Sequence, residues 1–296
     1  MKKILFLLTF FIGITSIFAQ EKTTEDTPKE GWKKSGNISI LFNQSAFSNW
    51  VAGGQNNIAG NLGINYDFNY LKGDWTWDNK FIAAYGLTKI KGQDTQKTDD
   101  RLELNSLLGK KAKGLWYYSA FLNFKTQMDS GFDNNTGIKT SHFFSPGYLQ
   151  FGPGMLWKKS DNLKVNIAPV TSKIIFVHDE FTDVDALGVT AEDFNAAGGY
   201  FGVDANKTTR FEFGTSIGAY YKLTLMENVT MENILNLYTN YLEDPQNVDL
   251  DYTMNLVMSI NKYLSANIAF QTIYDDNAFE GFQTREVFGL GVNYGF

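Results

Sequence analysis

The stretch NIAGNLGINYDFNYL, residues 57–71, decides the fold of this chain. Its even positions, from Ile58 to Tyr70, are apolar or aromatic except for one glycine, and its odd positions up to Asn69 carry small or polar residues such as Asn61 and Asp67. This period of two is that of a β-strand with one apolar and one polar face. The segment is also longer than the roughly five or six residues of an average strand. It therefore predicts a long strand that separates an apolar from a polar environment.

The same alternation recurs along the chain and predicts twelve strands in total. They cover Asn37–Asn43, Asn57–Leu71, Trp75–Leu87, Arg101–Gly109, Leu115–Gln127, Tyr148–Trp157, Leu163–Val177, Arg210–Tyr221, Val229–Tyr241, Leu250–Ile260, Leu264–Tyr274 and Gln283–Phe296. No stretch beyond the N-terminal segment reaches the roughly 18 apolar residues of a membrane-spanning helix. Because alternate residues of these strands are polar, a sheet that is buried on both faces is also excluded.

The connections between these predicted strands alternate between long and short. The long ones cover residues 45–55, 91–100, 128–147, 178–209, 242–248 and 275–282, and the short ones cover 72–74, 111–114, 158–162, 222–228 and 261–263. An outer-membrane barrel has this asymmetry because tight turns lie at its periplasmic rim and longer loops lie outside the cell. The sequence thus predicts an all-β fold, a transmembrane antiparallel up-and-down β-barrel of twelve strands.

Aromatic residues support the membrane interpretation. Rings next to the short turns match a girdle at the level of the lipid headgroups; they are Tyr70, Trp75, Trp77, Trp116, Trp157, Tyr221 and Tyr263. The last strand ends on Phe296, which resembles the assembly signal of outer-membrane barrels and predicts the barrel-assembly machinery as a partner. A soluble lipocalin-like barrel or β-sandwich is the alternative, but twelve long strands in water would leave a large exposed apolar face.

Residues 1–19 have the layout of a secretory signal peptide, with two lysines, an apolar stretch and Ala19 before the expected cleavage site. The apolar stretch is shorter than the roughly 20 residues that a membrane-spanning helix needs, which favours cleavage over an anchor. Residues 20–31 are mostly polar and predict a short periplasmic leader, and residues 32–296 are assigned to the barrel. The predicted location is the cell outer membrane.

Composition narrows the classes of function. The chain has 296 residues, 26 Lys and Arg against 32 Asp and Glu, a net charge of −6 and no cysteine. The absence of cysteine excludes disulfides, thiol catalysis and cysteine-ligated zinc. The acidic balance argues against nucleic acid as a partner, because binding phosphates requires a basic surface.

Several blocks that follow one another along the chain are similar to a Bacteroidota outer-membrane family known only as domain of unknown function 3078. The blocks are FNQ at 42–44, FSNWVAGG at 47–54, SPGY at 145–148, APVTSK at 168–173, GYFGV at 199–203, NYLEDPQNV at 240–248 and IYDD at 273–276. The resemblance implies an outer-membrane barrel in a Gram-negative cell. It implies no activity, substrate or catalytic residue.

Two features in the loops raise the question of chemistry. The chain has only two histidines, His142 and His178, and each lies in a predicted long loop, where solvated polar side chains are more common than general bases. Residues 178–206 carry seven acidic side chains without the spacing of an EF-hand, so we interpret them as an acidic surface loop rather than a calcium site. The sequence predicts no catalytic residue, metal or cofactor.

The polar parity of the strands predicts the lining of the barrel lumen. The candidate lining residues are Asn57, Asn61, Asn65, Asp67, Lys80, Arg101, Glu103, Lys125, Arg210, Glu212, Asn236, Asn255 and Arg285. The lumen-facing positions carry nearly equal numbers of basic and acidic residues. This balance favours either weak ion selectivity or a lumen that is plugged by salt bridges. Twelve strands lie between the filled eight-stranded and the open sixteen-stranded barrels.

The sequence therefore favours a narrow passive channel for small polar solutes. The alternative is a closed structural or assembly barrel whose long loops bind other outer-membrane components, and an outer-membrane hydrolase is a third hypothesis. In each case outer-membrane lipid and lipopolysaccharide are the expected surroundings.

Overall fold

A computed structural model describes residues 30–46, 55–133 and 136–295 of the chain. The signal peptide, nearly all of the leader, the block at 47–54 and Phe296 lie outside these residues. In the described part, no helix is long and apolar enough to cross a membrane.

Fourteen strands and three short helices make up the described chain. The strands are β1 Gly31–Ser45, β2 Asn57–Lys72, β3 Trp75–Ile90, β4 Gln96–Lys113, β5 Trp116–Thr126, β6 Gly131–Phe132, β7 Lys139–Ser141, β8 Gly147–Ser160, β9 Leu163–Phe176, β10 Thr209–Met226, β11 Val229–Asn240, β12 Asp249–Ser259, β13 Leu264–Asp275 and β14 Phe279–Gly295. A 3₁₀ helix spans Asp179–Phe181, and two α-helices follow, α1 Val184–Leu187 and α2 Ala191–Ala196.

Twelve of these strands form one closed antiparallel barrel, which confirms the predicted fold class. Their order round the barrel is β1-β2-β3-β4-β5-β8-β9-β10-β11-β12-β13-β14, and β14 pairs with β1 to complete the circle. The remaining two, β6 and β7, form a small separate hairpin in the connection between β5 and β8. Closure pairs the first strand with the last, so each of the twelve strands has a neighbour on both sides, which a membrane-spanning sheet requires.

The outer face of the barrel is apolar. On the last strand, Phe288, Leu290 and Tyr294 are all exposed, and Phe42 on β1 is exposed beside Leu290, its register partner. In water such a surface would favour aggregation, but in a bilayer the surrounding acyl chains cover it.

The tight turns at one rim follow from local backbone chemistry. Gly73 and Gly114 lie between paired strands with φ of 54° and 60°, a conformation that suits glycine and that two-residue hairpins need. Asn228 has the same conformation at the turn between β10 and β11, with φ of 65°. At this rim Trp32 packs against Tyr70, with ring centroids 5.1 Å apart, in keeping with the predicted aromatic girdle.

The predicted alternation of long and short connections fails at the last link. The sequence predicts a long loop over residues 275–282, but β13 continues to Asp275 and β14 begins at Phe279, which leaves three residues between them. The strands extend because Tyr274 pairs with Phe282 and Asp275 with Phe279, so backbone pairing continues through a stretch rich in polar residues. The other five connections at this rim are longer.

A β-bulge in β9 changes which residues face the lumen. Ala168 and Thr171 are the register partners of Ser216 and Gly214 on β10, so three steps along β9 match two along β10. An extra residue of this kind reverses the parity of the strand. Lys173, which lies beyond the bulge, therefore joins the side of the barrel that Asn166 occupies before it.

Candidate functional site in the barrel lumen

Ion pairs cross the lumen from one wall to the other. The Nζ of Lys80 on β3 lies 2.8 Å from Oε1 of Glu232 on β11, although these strands are six places apart in the closed order. Lys80 also lies 3.3 Å from Asp67 on its neighbouring strand. Glu232 accepts further hydrogen bonds from Tyr220 at 2.8 Å and from Asn255 at 3.3 Å. The predicted lining residues Asp67, Lys80 and Asn255 thus come together in one network.

A second network joins β4 and β5 to the far wall. Arg101 pairs with Glu103, and Lys125 pairs with Asp251 on β12. The carboxylate of Glu103 is almost fully buried and also accepts a hydrogen bond from Asn105 at 2.7 Å. Because both signs of charge are present and paired, this part of the interior is electrostatically balanced.

The third network surrounds Lys173, whose side chain is 4% exposed. Its Nζ lies 3.2 Å from Glu212, 3.0 Å from Asp249 and 3.8 Å from Asp275. Glu212 in turn lies 2.9 Å from Nε of Arg210, so two cations share these three carboxylates. Sequence reasoning found Arg210 and Glu212 but missed Lys173, because the bulge in β9 reverses its parity.

The other predicted lining residues have varied surroundings. Arg285 pairs with Asp99, and Asn61 donates a hydrogen bond to the same carboxylate at 3.0 Å. Asn57 accepts a hydrogen bond from the backbone N–H of Ser45 at 2.9 Å. The side-chain oxygen of Asn65 is buried and has no hydrogen-bond partner among the described residues.

A fourth network, near the short turns, was missed in part by sequence reasoning. Lys158 and Lys164 lie 3.0 Å and 2.7 Å from the carboxylate of Asp78 across the lumen. Lys158 was assigned to a turn at 158–162, but β8 continues to Ser160 and carries it into the barrel. A strand extended by three residues is the kind of boundary shift that alternation alone does not reveal.

A cavity of ≈ 240 Å³ lies in the half of the lumen near the short turns. Its lining includes Lys80, Lys164, Asn166, Tyr220 and the predicted residue Asn236. A cavity of this size has room for several water molecules, since each occupies on the order of 10–15 Å³. The interior is therefore filled in part by paired charges and leaves room for water beside them.

The β9–β10 connection at the other rim is folded. Val177 and Val203 are buried with Ile175, and Tyr200 and Tyr148 pack against them, so the β9–β10 connection has a small core of its own. One of the acidic residues caps a helix: the Asp183 side chain accepts hydrogen bonds from the N–H groups of Asp185 and Ala186 in α1. Glu192 and Asp193 lie in the first turn of α2, where negative charge is favoured, and Asp204 pairs with Lys207.

Both histidines, interpreted above as separate solvated side chains, meet in these loops. Their ring centroids are 5.0 Å apart, and Nε2 of His142 lies 2.7 Å from Oε1 of Glu180. The same oxygen accepts a hydrogen bond from Lys139 at 2.7 Å. That hydrogen bond, together with the charge of Lys139, holds the pKa of Glu180 below its usual range, so the carboxyl is ionised at neutral pH.

Comparison with known proteins adds one sequence match. Residues 42–132, less than a third of the chain, match the family described as protein of unknown function DUF3078, which confirms the predicted resemblance for this segment. None of the curated proteins is significantly similar in sequence.

Among solved structures, the chain is similar to an outer-membrane channel from Pseudomonas putida F1, with a TM-score of 0.40, 9% identity and coverage of 94% of this chain and 99% of that one. It is also similar to the translocator domain of the autotransporter NalP from Neisseria meningitidis, with a TM-score of 0.36, 9% identity and coverage of 92% and 90%.

Proposed function

We propose that the protein is an outer-membrane barrel that acts as a narrow passive channel for small polar solutes. The observation that carries this proposal is that paired charges, rather than packed apolar side chains, close the lumen. The Lys80–Glu232 contact joins opposite walls, and Lys80 lines the cavity. Charged and amide groups along a water-filled path exchange hydrogen bonds with passing solutes at little net cost.

The Lys80–Glu232 contact is able to open while each of its two side chains keeps other polar contacts. If it separates, Lys80 keeps Asp67 on the adjacent strand, and Glu232 keeps its hydrogen bonds from Tyr220 and Asn255. An unpaired buried charge is what makes breaking most buried salt bridges costly. This arrangement therefore supports a lumen that widens at moderate cost. Balanced charge along the lumen supports weak rather than strong ion selectivity.

The closed structural or assembly barrel is the second candidate, and the Lys173 network favours it. The side chain of Lys173 is nearly inaccessible to solvent and pairs with carboxylates from three strands. These contacts favour a lumen that is permanently blocked at the height of Lys173. In that case the folded long loops would bind lipopolysaccharide or another outer-membrane protein. Conduction by the purified barrel separates the two candidates.

The proposed orientation places the long loops outside the cell and the short turns in the periplasm. An epitope tag inserted at Asp94 or Asp185, both in long connections, is expected to be labelled on intact cells. A tag at Gly73 or Gly114, in tight turns, is expected to be labelled only after the outer membrane is permeabilised. Each tagged protein should first be checked for folding by its heat-dependent mobility on gels. Labelling of the turn tags alone on intact cells would contradict the orientation.

A further inference from the structure

We propose that His142, His178 and Glu180 form a binding site for a divalent transition-metal ion that joins two long loops. This inference goes beyond the channel proposal and does not depend on it. One nitrogen of each imidazole and one oxygen of Glu180 lie within 4.8 Å of one another. Two imidazoles and a carboxylate are a ligand set that suits Zn²⁺ and similar ions and leaves a coordination position for water.

The first argument is the convergence of the histidines. The described chain brings its two histidines from separate connections, β7–β8 and β9–β10, to a ring distance of 5.0 Å. Both loops are held in place near the site: Tyr200 donates a hydrogen bond to the carbonyl of Thr140, and the ring of His142 packs 5.5 Å from that of Phe181. The candidate ligands are thus positioned before any ion binds.

The second argument concerns the proton on His142. Its Nδ1 lies 2.7 Å from the carbonyl oxygen of Phe143, so in the neutral ring Nδ1 donates to this carbonyl. The Nε2 then has a lone pair and faces the Glu180 carboxylate at 2.7 Å. Two acceptors at this distance require a proton or a cation between them. A backbone carbonyl that fixes one nitrogen of a histidine is also the usual support of a metal-binding imidazole.

The second imidazole, His178, has carboxylate neighbours of its own. Its Nδ1 lies 2.8 Å from Oδ1 of Asp179 and 4.0 Å from Oε1 of Glu180, and it accepts a hydrogen bond from the backbone N–H of Glu180 at 3.3 Å. Tetrahedral zinc holds its nitrogen and oxygen ligands about 3.4 Å apart, given metal–ligand bonds of about 2.0–2.2 Å. The three groups are partly exposed, so a modest movement of loop side chains closes the site around an ion that arrives from solvent.

Lys139 is the competitor for this position, because its Nζ lies 2.7 Å from the same Glu180 oxygen. A bound metal ion would displace the ammonium group, which is one third exposed and free to move into solvent. Lys139→Met is therefore expected to strengthen metal binding. If the cluster is only an ion pair, the same substitution would leave metal binding absent.

The test uses the full barrel, without a polyhistidine tag, folded in detergent and freed of metal with a chelator. Titration calorimetry with ZnCl₂ alone at neutral pH should show one ion bound per chain. Substitutions His142→Ala and His178→Ala should each weaken binding by roughly tenfold or more, since loss of even supporting groups costs about 10–100-fold. Lys139→Met should tighten it, and Asp204→Asn, which removes an exposed carboxylate from the same loop, should leave it unchanged.

A second measurement reads out the link between the loops. With Zn²⁺ bound, limited proteolysis of the β5–β8 and β9–β10 connections should slow in the wild type but not in the histidine variants. Mg²⁺ and Ca²⁺ should give no protection, because imidazole ligands do not suit these ions. The proposal is overturned if the wild type binds no Zn²⁺, or if both histidine variants bind it as tightly as the wild type.

Discussion

Replacing Lys173 with methionine is expected to destabilise the folded barrel by about 3–5 kcal/mol, the cost of removing one partner from a buried charge network. Lys173 lies among the carboxylates of Glu212, Asp249 and Asp275, and its removal leaves Arg210 as the cation that contacts Glu212. Methionine matches the length of the lysine stem, so the loss is mainly electrostatic. Urea unfolding of the barrel in lipid vesicles measures the change.

Two further variants separate charge from packing. Lys207→Met removes an exposed lysine that pairs with Asp204 on the loop surface, and it should change stability by less than about 1 kcal/mol. Adding Asp249→Asn to Lys173→Met removes one of the unpaired carboxylates and should recover part of the lost stability. An equal, small effect of Lys173→Met and Lys207→Met would contradict the buried network.

The second large effect is expected at the barrel seam. Among the described residues, the pairing of β14 with β1 covers six register pairs, against fifteen between β1 and β2, so closure depends on a short contact. Tyr294 lies in this seam opposite Ile38 and is 59% exposed on the outer face. Tyr294→Asp, or deletion of Phe296, should reduce the folded protein in the outer membrane to near zero.

The reason is assembly rather than native stability. A charge close to the rim costs only about 0–1 kcal/mol in the folded barrel, but it disrupts the aromatic terminal pattern that resembles an assembly signal. Tyr294→Phe keeps the ring and should assemble normally. Cell fractionation and heat-dependent gel mobility provide the measurement, and normal amounts of folded Tyr294→Asp protein would reject this account of the terminal strand.

The alternation of apolar and polar residues is sufficient to predict the barrel, because a period of two identifies both a strand and its two faces. It does not predict the strand bounds or the inward face correctly at three kinds of position. At Lys173 a bulge reverses the parity, and at Lys158 and Asp99 the strands are longer than their patterns indicate. At Asp275 strand pairing continues through a polar stretch that is typical of a loop.

The contacts within the lumen could not be predicted from the sequence. The alternation places Lys80 and Glu232 on the polar faces of their strands. Their contact joins opposite walls, however, and depends on how far each strand is shifted relative to its neighbours. The meeting of His142 and His178 depends in the same way on the folding of two long loops. Sequence patterns report which face a residue occupies, whereas these partners are fixed by three-dimensional closure.

The central claim is that the ion-paired lumen conducts, and current through single barrels in planar bilayers tests it most directly. The wild type should give small, discrete steps with weak ion selectivity. The double variant Lys80→Ala with Glu232→Ala removes the contact across the lumen beside the cavity and should raise the step size severalfold. The exposed-loop variant Asp204→Asn should match the wild type. Absence of current from both the wild type and the double variant, with each shown to be folded and inserted, would contradict the channel and favour the closed barrel.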